Sequence, residues 1–340
     1  MFPDGFYLSY SKLSTLAKGV HHYKNKYILG KKDEDTESLT KGSGVDLLID
    51  NNFADYYDKF AILDPAINVP SSTTKIYNFI KYTMDFNKVY DDLNECFDRA
   101  YLKLKEENDG KKLRDPIDKF KTEFKDTYKD YYDFLLNNKN KIVISLTDYN
   151  NHLKIANKFR YSPYCRYYFP EYAPADSEVY DMYKNGELGV VPKFKLESKL
   201  FDLPVKLEYD RVIINHKTNT ITPVDYKTTS FSIMNFSDTY YKFRYDIQNT
   251  IYSLALKNEY NSFNIDTVRF LVVNTEYPED AICYLWDWSH VENNEYHYYT
   301  RYKDRTIPTV RKLIDDLSFY YENGWDVRRE IVENNGHFVC

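Results

Sequence analysis

Glycine is scarce in this chain, with 10 glycines among 340 residues, and its four cysteines are widely separated. Cys96, Cys165, Cys283 and Cys340 never approach Cys-x-x-Cys spacing, so the sequence predicts neither a zinc ribbon nor an iron–sulfur cluster. No internal repeat or low-complexity linker divides the sequence. We therefore expect reduced thiols and a single elaborated domain over residues 1–340.

Long apolar runs are also missing from the sequence. No stretch of 18 apolar residues occurs, so no membrane partner is expected. The start, MFPDGFYLSYSKL, lacks the basic and apolar regions of a secretory signal, which predicts a cytoplasmic location. The formal net charge of −6 gives no overall attraction to nucleic acid, although a locally basic groove is compatible with an acidic total.

What the chain does have is 43% hydrophobic residues, which is enough for a substantial core. Apolar residues at helical spacing predict helices in five segments: 8–30, 85–137, 146–159, 244–260 and 307–323. We interpret 85–137 as a helical insertion, in which Asp109–Gly110 and Pro116 separate two helices. Gly42 and Gly44 are expected to permit close backbone approach just before a further helix.

Strand-like sequence dominates the second half of the chain. Runs rich in β-branched and aromatic residues predict strands in five segments: 190–201, 203–215, 220–229, 267–274 and 281–288. Helices that are followed by strands, then by one helix and further strands, indicate an α/β (α+β) fold. In such a fold a central mixed β-sheet is flanked by helices.

The segment VKLEYDRVIINHKTNTITPVDYKTTS, residues 205–230, has the pattern of a β-hairpin with a four-residue loop. This loop length sets Asn215 opposite Thr220, and the same register sets Asp210 opposite Asp225. Facing residues of an antiparallel pair have Cβ atoms roughly 4.5–5.5 Å apart, and like charges at that distance are destabilising.

Two facing carboxylates call for a cation, and hard oxygen ligands suit Mg²⁺ or Mn²⁺. Lys227 shares a face with Asp225 and is expected to face Glu208, so an ammonium would lie beside the ion. That combination is typical of phosphodiester hydrolysis. The alternative is an exposed hairpin with a shifted register, whose charges face solvent, and Pro223 indicates some irregularity because proline cannot donate to a ladder.

Three motifs of the sequence resemble those of one nuclease superfamily. VDYKTT in the hairpin resembles the core motif of PD-(D/E)XK nucleases, and DIQNTIY looks like the Gln-x-x-x-Tyr motif of their RecB-like branch. GSGVDLL is similar to the segment in which those enzymes carry an N-terminal metal ligand. The stretches LSYSKLSTLAKGVHHYKNKYILG and KIVISLTDYNNHLKIANKF are similar to the RecE-like (exonuclease VIII) subgroup of phages and prophages, and lambda exonuclease is a more distant relative. The resemblance covers about residues 6–325 and implies a restriction-endonuclease-like fold.

The resemblance also implies a set of metal ligands. Asp210 and Asp225 match the metal-binding acids, and the backbone carbonyl of Tyr226 would be a further ligand of one or two Mg²⁺ or Mn²⁺ ions. Asp46 stands where many relatives have histidine. Aspartate is a competent ligand of a hard cation, although an aspartate at a helix N-terminus also interacts favourably with the helix dipole.

The remaining site residues follow from the same motifs. Lys227 matches the catalytic lysine of the family. Gln248 and Tyr252 are four residues apart, so they share one helix face and are expected to point together at the nucleic-acid strand and the scissile phosphate. Glu197 and Glu208 lie on the strands that lead to the site, where they are candidates for outer metal ligands or for pairing with Lys227. We favour a structural or supporting role for both.

The activity implied by the resemblance is that of a Mg²⁺-dependent exonuclease, which hydrolyses phosphodiester bonds at the ends of linear duplex DNA. The setting would be phage-type recombination or DNA processing, in the cytoplasm of a bacterial host. Implied partners are DNA, a single-strand annealing protein and further copies of the chain in a homo-oligomer. Two alternatives stay open: a catalytically weak DNA-binding or assembly protein that keeps the nuclease fold, and a structure-selective endonuclease of the same superfamily.

A further stretch, FRYSPYCRYYFPEY at 159–172, interleaves arginines with aromatic residues. Such a pattern suits a platform on which single-stranded bases stack. It also suits aromatic packing that closes a helical layer over the sheet, and we favour this second interpretation.

Overall fold

The computed structural model describes residues 2–31, 37–107, 113, 115–276 and 281–334. It divides into two compact units, one made of Met1–Asp50 with Lys154–Cys340 and the other of Asn51–Leu153. The segment 85–137 lies inside the second unit. The single domain over 1–340 and the insertion within it stay predictions.

The first unit begins with helical elements: α1 (Tyr10–Lys18), α2 (Val20–Tyr23), a π-helical turn (Lys24–Ile28) and α3 (Glu37–Ile49). Gly19 separates α1 from α2 with a φ of 137°, a conformation that favours glycine, so the helix predicted over 8–30 is interrupted. Gly42 and Gly44 lie inside α3, whereas the sequence placed them before it. At Gly42 an added Cβ would lie 3.6 Å from Oγ1 of Thr228, which is an ordinary van der Waals contact with a side chain of β5.

The second unit is mainly helical. Its elements are α4 (Phe53–Lys59), β1 (Phe60–Leu63), α5 (Lys75–Phe86), α6 (Leu93–Glu107), α7 (Ile117–Glu123), a π-helical turn (Phe124–Tyr128), α8 (Lys129–Asn137), β2 (Ile142–Ser145) and the first part of α9 (Leu146–Tyr161). β1 and β2 pair in parallel. Buried phenylalanines fill its core, among them Phe97 and Phe124 with ring centroids 4.8 Å apart. Pro116 directly precedes α7, as predicted, and Asp109–Gly110 lie outside the described residues.

The first unit continues after α9 and contains the main sheet. Its elements are two 3₁₀ turns (Arg166–Tyr168 and Pro170–Tyr172), α10 (Glu178–Lys184), β3 (Leu188–Leu200), β4 (Leu203–Asn215), β5 (Thr220–Thr229), a 3₁₀ turn (Ile233–Asn235), α11 (Phe236–Lys242), α12 (Tyr245–Glu259), β6 (Asn264–Ile265), β7 (Arg269–Asn274), β8 (Ile282–Tyr284), α13 (Trp288–Tyr296), β9 (Tyr299–Tyr302), β10 (Arg305–Pro308), α14 (Val310–Asn323) and α15 (Arg329–Glu333). The strand predicted over 281–288 is shorter than expected, because Asp287 caps the N-terminus of α13. Throughout the described ranges, no helix has the length and apolar character needed to cross a membrane.

Six strands form the central sheet, in the order β3, β4, β5, β7, β8, with β6 also paired to β5. The pairs β3–β4, β4–β5 and β7–β8 are antiparallel, whereas β5 runs parallel to β6 and β7. Helix α12 packs against β3 and β4, and α3 packs against β5. The predicted fold class, a central mixed sheet flanked by helices, is confirmed.

Side-chain alternation changes once along β4. Leu207 and Tyr209 belong to the apolar core that includes residues of α12, and the next residue of β4 in that core is Val212. Regular alternation would have placed Arg211 there. Two residues, Asp210 and Arg211, thus separate successive core residues of β4 where regular alternation has one. After them, even-numbered rather than odd-numbered residues face the α12 core.

Strand β3 changes its alternation at the same level. Val191 and Phe194 both pack against the α12 core, again with a step of two residues between them. Lys193 lies in this step with a φ of 48°, a left-handed conformation that costs a residue other than glycine roughly 1–2 kcal/mol. The ladder to β4 keeps one register on both sides of Lys193, and by that register Lys193 stands opposite Asp210.

Candidate active site

Strands β4 and β5 form the hairpin that the sequence predicted, and the predicted register is confirmed from Asn215 with Thr220 to Arg211 with Val224. The ladder ends at that last pair. From Val224 onward β5 pairs along its other edge with β7. Asp210 and Asp225 are therefore the first residues beyond the β4–β5 ladder. We call the space between the two strands at this level the strand gap.

The Asp210 carboxylate lies in the strand gap. Its Oδ2 accepts a hydrogen bond of 2.8 Å from the backbone amide of Tyr226, so a side chain replaces the ladder bond that β4 would otherwise supply. The N–H and C=O groups of one strand residue leave the strand at the same edge. The Tyr226 carbonyl, which the resemblance implies as a metal ligand, therefore faces the same gap.

Lys193 connects Asp210 to Asp46 on α3. Its ammonium lies 3.2 Å from Oδ1 of Asp210 and also donates to Oδ1 of Asp46. All three side chains are partly exposed, with between 24% and 35% of their surface accessible. The structure thus brings Asp46 beside Asp210 and places Lys193 between them. This lysine was not among the residues identified from the sequence.

Asp225 is buried on β5 and has two polar partners. Its Oδ2 forms an ion pair with the ammonium of Lys227, and its Oδ1 accepts a hydrogen bond from Nε2 of Gln248 on α12. The Lys227 ammonium also lies 4.5 Å from the ring centroid of Tyr245. Lys227 is therefore held between a carboxylate and an aromatic ring in a largely buried position.

Burial and crowding of like charges perturb the carboxyl groups of the site. Burial, together with repulsion from Asp210, raises the pKa of Asp225 to about 6, against the opposing effect of Lys227. Burial and Asp210 also raise the pKa of Asp46 to about 6, against the opposing effect of Lys193. Burial alone would lower the pKa of Lys227, but the Asp225 carboxylate raises it above its usual value, so Lys227 is an ammonium at neutral pH.

Gln248 and Tyr252 share one face of α12, as their spacing predicts, but their side chains make different contacts. Gln248 reaches Asp225, and its buried Oε1 has no hydrogen-bond partner among the described residues. The Tyr252 hydroxyl donates a hydrogen bond of 3.0 Å to the backbone carbonyl of Glu208, and its ring contacts that of Tyr209. In this structure Tyr252 connects α12 to β4.

One predicted contact is wrong. Glu208 does not face Lys227, because the alternation of β4 changes at Asp210 and places Glu208 on the other side of the strand from the site. Glu208 instead forms an exposed ion pair of 3.5 Å with Lys195. Glu197 pairs with Lys206 at 2.9 Å, so both glutamates have partners outside the strand gap.

A buried ion-pair cluster, which the sequence reading did not find, lies next to the site. Arg211 donates to Asp50 at 2.9 Å, to Glu171 at 2.6 Å and to the backbone carbonyl of Tyr168 at 2.9 Å. Only 3% of the Arg211 side chain is exposed. Burial raises the pKa of Asp50, and Arg211 opposes that rise. The cluster joins the end of α3 to the residue after Asp210.

The donor groups around the strand gap suit a hard divalent cation in kind, since carboxylates and a backbone carbonyl are the ligands that Mg²⁺ and Mn²⁺ prefer. Within the described part of the chain, however, no three His, Cys, Asp or Glu side chains are arranged to hold a metal ion. The position between Asp46 and Asp210 is taken by the Lys193 ammonium. A divalent ion bound by both carboxylates would take the place of that ammonium.

The segment 159–172 is mostly packed rather than open. Phe159 and Phe169 are buried and their rings lie 5.6 and 5.7 Å from that of Tyr226. Arg160 is also buried and donates to backbone carbonyls of α3. The packing interpretation of this segment is confirmed for these residues, although Tyr164 is 65% exposed.

An exposed group of two rings and a lysine follows β5. Phe231 and Phe243 are more than 40% exposed, and the Lys242 ammonium lies 5.4 Å from the ring centroid of Phe231 and 5.5 Å from that of Phe243. Phe231 is the fourth residue after Lys227. We call these three residues the aromatic patch. Exposed aromatic rings beside a cation can stack unpaired bases and attract a phosphate chain.

Comparisons with known proteins give a likeness to a solved structure but no match in sequence. No protein-family model and no curated protein matches the chain. Among solved structures, a protein of Eubacterium rectale named "Putative exonuclease" aligns with 98% of this chain and 83% of its own, at 10% sequence identity and a TM-score of 0.43.

Proposed function

We propose that this chain is a divalent-metal-dependent deoxyribonuclease of the PD-(D/E)XK type, which hydrolyses phosphodiester bonds at the ends of linear duplex DNA. The observation that carries the proposal is the convergence at the strand gap of Asp210, Asp225 and Lys227. Asp46 approaches the same gap from α3. The motifs shared with RecE-like nucleases supply the same set of residues.

The carboxylates of Asp46, Asp210 and Asp225 and the carbonyl of Tyr226 would hold one or two Mg²⁺ or Mn²⁺ ions. Such an ion would act as a Lewis acid, which neutralises charge on the scissile phosphate and lowers the pKa of a bound water molecule. The chain itself keeps Asp225 buried and oriented through Gln248 and Lys227. A fixed carboxylate of this kind positions the reacting groups with little reorganisation.

Lys227 would act as a cation in this site. Its contact with Asp225 keeps it protonated, so it can donate a hydrogen bond to a phosphate oxygen or to the attacking water and stabilise negative charge as it develops. The ring of Tyr245 covers one side of the ammonium. A buried ammonium has few water molecules to compete for its hydrogen bonds, which strengthens its interaction with an anion.

DNA would approach the site along the end of β5. The aromatic patch begins two residues after the last residue of that strand, so a base next to the scissile phosphate would meet Phe231, Phe243 and the Lys242 ammonium. Stacking on aromatic rings tolerates any base. This surface suits an enzyme that processes DNA ends without reading their sequence.

The mode of action that we propose is exonucleolytic, within phage-type recombination or DNA processing. In that setting a homo-oligomer and a single-strand annealing partner would accompany the nuclease, as the resemblance implies. A structure-selective endonuclease and a catalytically inactive DNA-binding protein are the competing functions.

Degradation assays with Mg²⁺ or Mn²⁺ test the proposal on linear duplex, linear single-stranded and closed circular DNA. Asp225→Ala and Lys227→Ala should abolish cleavage, since removing a metal ligand or the cation of the site costs several powers of ten in rate. Glu197→Ala and Lys195→Ala are matched controls, because both residues are exposed and pair outside the strand gap.

The substrates separate the competing functions. Loss of linear duplex with intact circles supports an exonuclease. Cleavage of circles by the wild type but not by Asp225→Ala would assign an endonuclease. Absence of any metal-dependent cleavage, with DNA still bound, would leave only the DNA-binding function.

A further inference from the structure

The Lys193 ammonium occupies the place between two carboxylates that a divalent ion would fill. It contacts Oδ1 of both Asp46 and Asp210. Asp46 comes from α3 and Asp210 from β4, so the lysine joins two elements that a shared ion would also join. In the metal-free protein, the single positive charge of Lys193 thus offsets the repulsion between these two carboxylates.

The backbone of Lys193 directs its side chain to this place. Lys193 has a φ of 48° and lies at the level where β3 and β4 both change their alternation. Its neighbour Lys195 has regular strand conformation, is 77% exposed and pairs only with Glu208 at 3.5 Å among the contacts that the structure describes. Lys193 and Lys195 are two positions apart in sequence, and of these two only Lys193 reaches the strand gap.

The two lysines of the site are held differently. Lys227 is largely buried between Asp225 and Tyr245. The Lys193 side chain is 31% exposed, and its two partners are 35% and 24% exposed. A lysine has a flexible four-carbon stem, so the Lys193 ammonium can leave the carboxylates for solvent without unpacking the core.

We propose that Lys193 is a built-in counter-ion, which bridges Asp46 and Asp210 in the metal-free protein and is displaced when a divalent ion binds them. The inference rests on the proposed metal site and adds to it a residue that competes with the ion. The bridge keeps α3 and β4 in place before the metal arrives. It also lowers the affinity of the site for metal, because the ion must replace an existing contact.

The size of this competition follows from the occupancy of the bridge. A ligand that binds only the open form has its apparent affinity reduced by the fraction of protein that is open. If the bridge is formed about 90% of the time, removing it should tighten metal binding about tenfold.

Titration calorimetry with Mg²⁺ or Mn²⁺ alone, without DNA, tests the inference on the full chain. Lys193→Met keeps most of the length of the side chain and removes its charge, and the variant should bind the ion about tenfold more tightly than wild type. Lys193→Arg keeps the charge and should stay near wild type. Lys195→Met removes the same charge two residues away and is the matched control, which should not change the affinity.

A second measurement uses the wild-type protein, so it does not depend on the folding of a variant. Acetylation of lysines by an amine-reactive reagent, followed by mass spectrometry, should modify Lys193 several-fold faster with saturating Mg²⁺ than without it. The rate at Lys195 should be the same in both conditions.

The outcomes separate this inference from the proposed function. Metal binding that is equal or weaker in Lys193→Met, or labelling of Lys193 that Mg²⁺ does not accelerate, overturns the competition and leaves the metal site intact. No metal binding in wild type and in Lys193→Met overturns both the competition and the proposed metal-dependent function.

Discussion

Gln248 donates a hydrogen bond from its side-chain amide to Oδ1 of Asp225, and this bond connects α12 to β5 beneath the strand gap. Both side chains are buried. A buried carboxylate that loses a donor costs the protein about 1–3 kcal/mol. Gln248→Ala should therefore lower the free energy of unfolding by that amount, measured by urea denaturation.

Asn258 on the same helix provides the control for Gln248. Its amide donates to the backbone carbonyl of Lys199 in an exposed position, so Asn258→Ala should change the free energy of unfolding by less than about 0.5 kcal/mol. Equal effects of the two substitutions would show that the hydrogen bond to Asp225 stabilises the fold no more than an exposed hydrogen bond does.

Arg211 should be among the residues on which the stability of the first unit depends most. Arg211→Met leaves Asp50, whose side chain is 9% exposed, and the partly exposed Glu171 without their shared cation. Removing one partner of a buried ion pair typically costs about 3–5 kcal/mol. Lys206→Met removes a charge from an exposed pair with Glu197 and should cost less than about 1 kcal/mol. Denaturant titrations compare the two, and a loss below about 1 kcal/mol for Arg211→Met would contradict the buried cluster.

Gly42 offers a position where stability should increase. It lies inside α3, where alanine is favoured over glycine by about 0.5–1 kcal/mol. An added Cβ would meet Oγ1 of Thr228 at 3.6 Å, an ordinary contact distance. Gly42→Ala should raise the melting temperature, whereas Gly42→Leu should lower it because the larger side chain has to displace β5. A lower melting temperature for Gly42→Ala would show that α3 lies closer to β5 than described.

The aromatic patch should contribute to binding of single-stranded DNA. Stacking of one base on one ring is worth about 1–3 kcal/mol, so Phe231→Ala and Phe243→Ala should each weaken binding about fivefold or more. Fluorescence anisotropy in EDTA measures the affinity without cleavage. Tyr164→Ala is the control, because Tyr164 is an exposed ring of the segment 159–172. If only Tyr164→Ala weakened DNA binding, the DNA-binding surface would lie on the segment 159–172 instead of on the aromatic patch.

The hairpin was predictable because a strand has a side-chain period of two and the loop length fixes the register. Asn215 and Thr220 flank a four-residue loop, and the pairing found in the structure follows from that count. The sequence could not show where the ladder stops. That point depends on β7, which takes over the pairing of β5 from Val224 onward.

Lys193 was missed because regular alternation places it on the same face as Lys195, among residues that look solvated. A positive φ in a residue other than glycine is not encoded by residue type. A signal was nevertheless present in the apolar pattern, as two steps of three positions, from Val191 to Phe194 and from Tyr209 to Val212. Two neighbouring strands that skip at matching positions indicate a paired irregularity in the sheet.

Helix α13 was missed for a different reason. The apolar run AICYLWDW has strand character through Trp288, but Asp287 accepts a hydrogen bond from the amide of Ser289 and starts a helix. An aspartate before a short polar stretch is a helix-start signal. The Asp287 cap therefore outweighs the local apolar character and ends the strand-like run.

The amide of Tyr226 lies within a β-strand, yet its hydrogen bond ends on the carboxylate of Asp210 instead of on a neighbouring backbone. Exchange of this one proton with deuterium therefore depends on the position of a side chain, whereas the amides of its neighbours Asp225 and Lys227 face the opposite edge of β5, where β7 pairs with the strand. Any ligand that draws Asp210 away should speed exchange at Tyr226 without unfolding the sheet. A single backbone proton thus reports on the state of the strand gap without substrate or label.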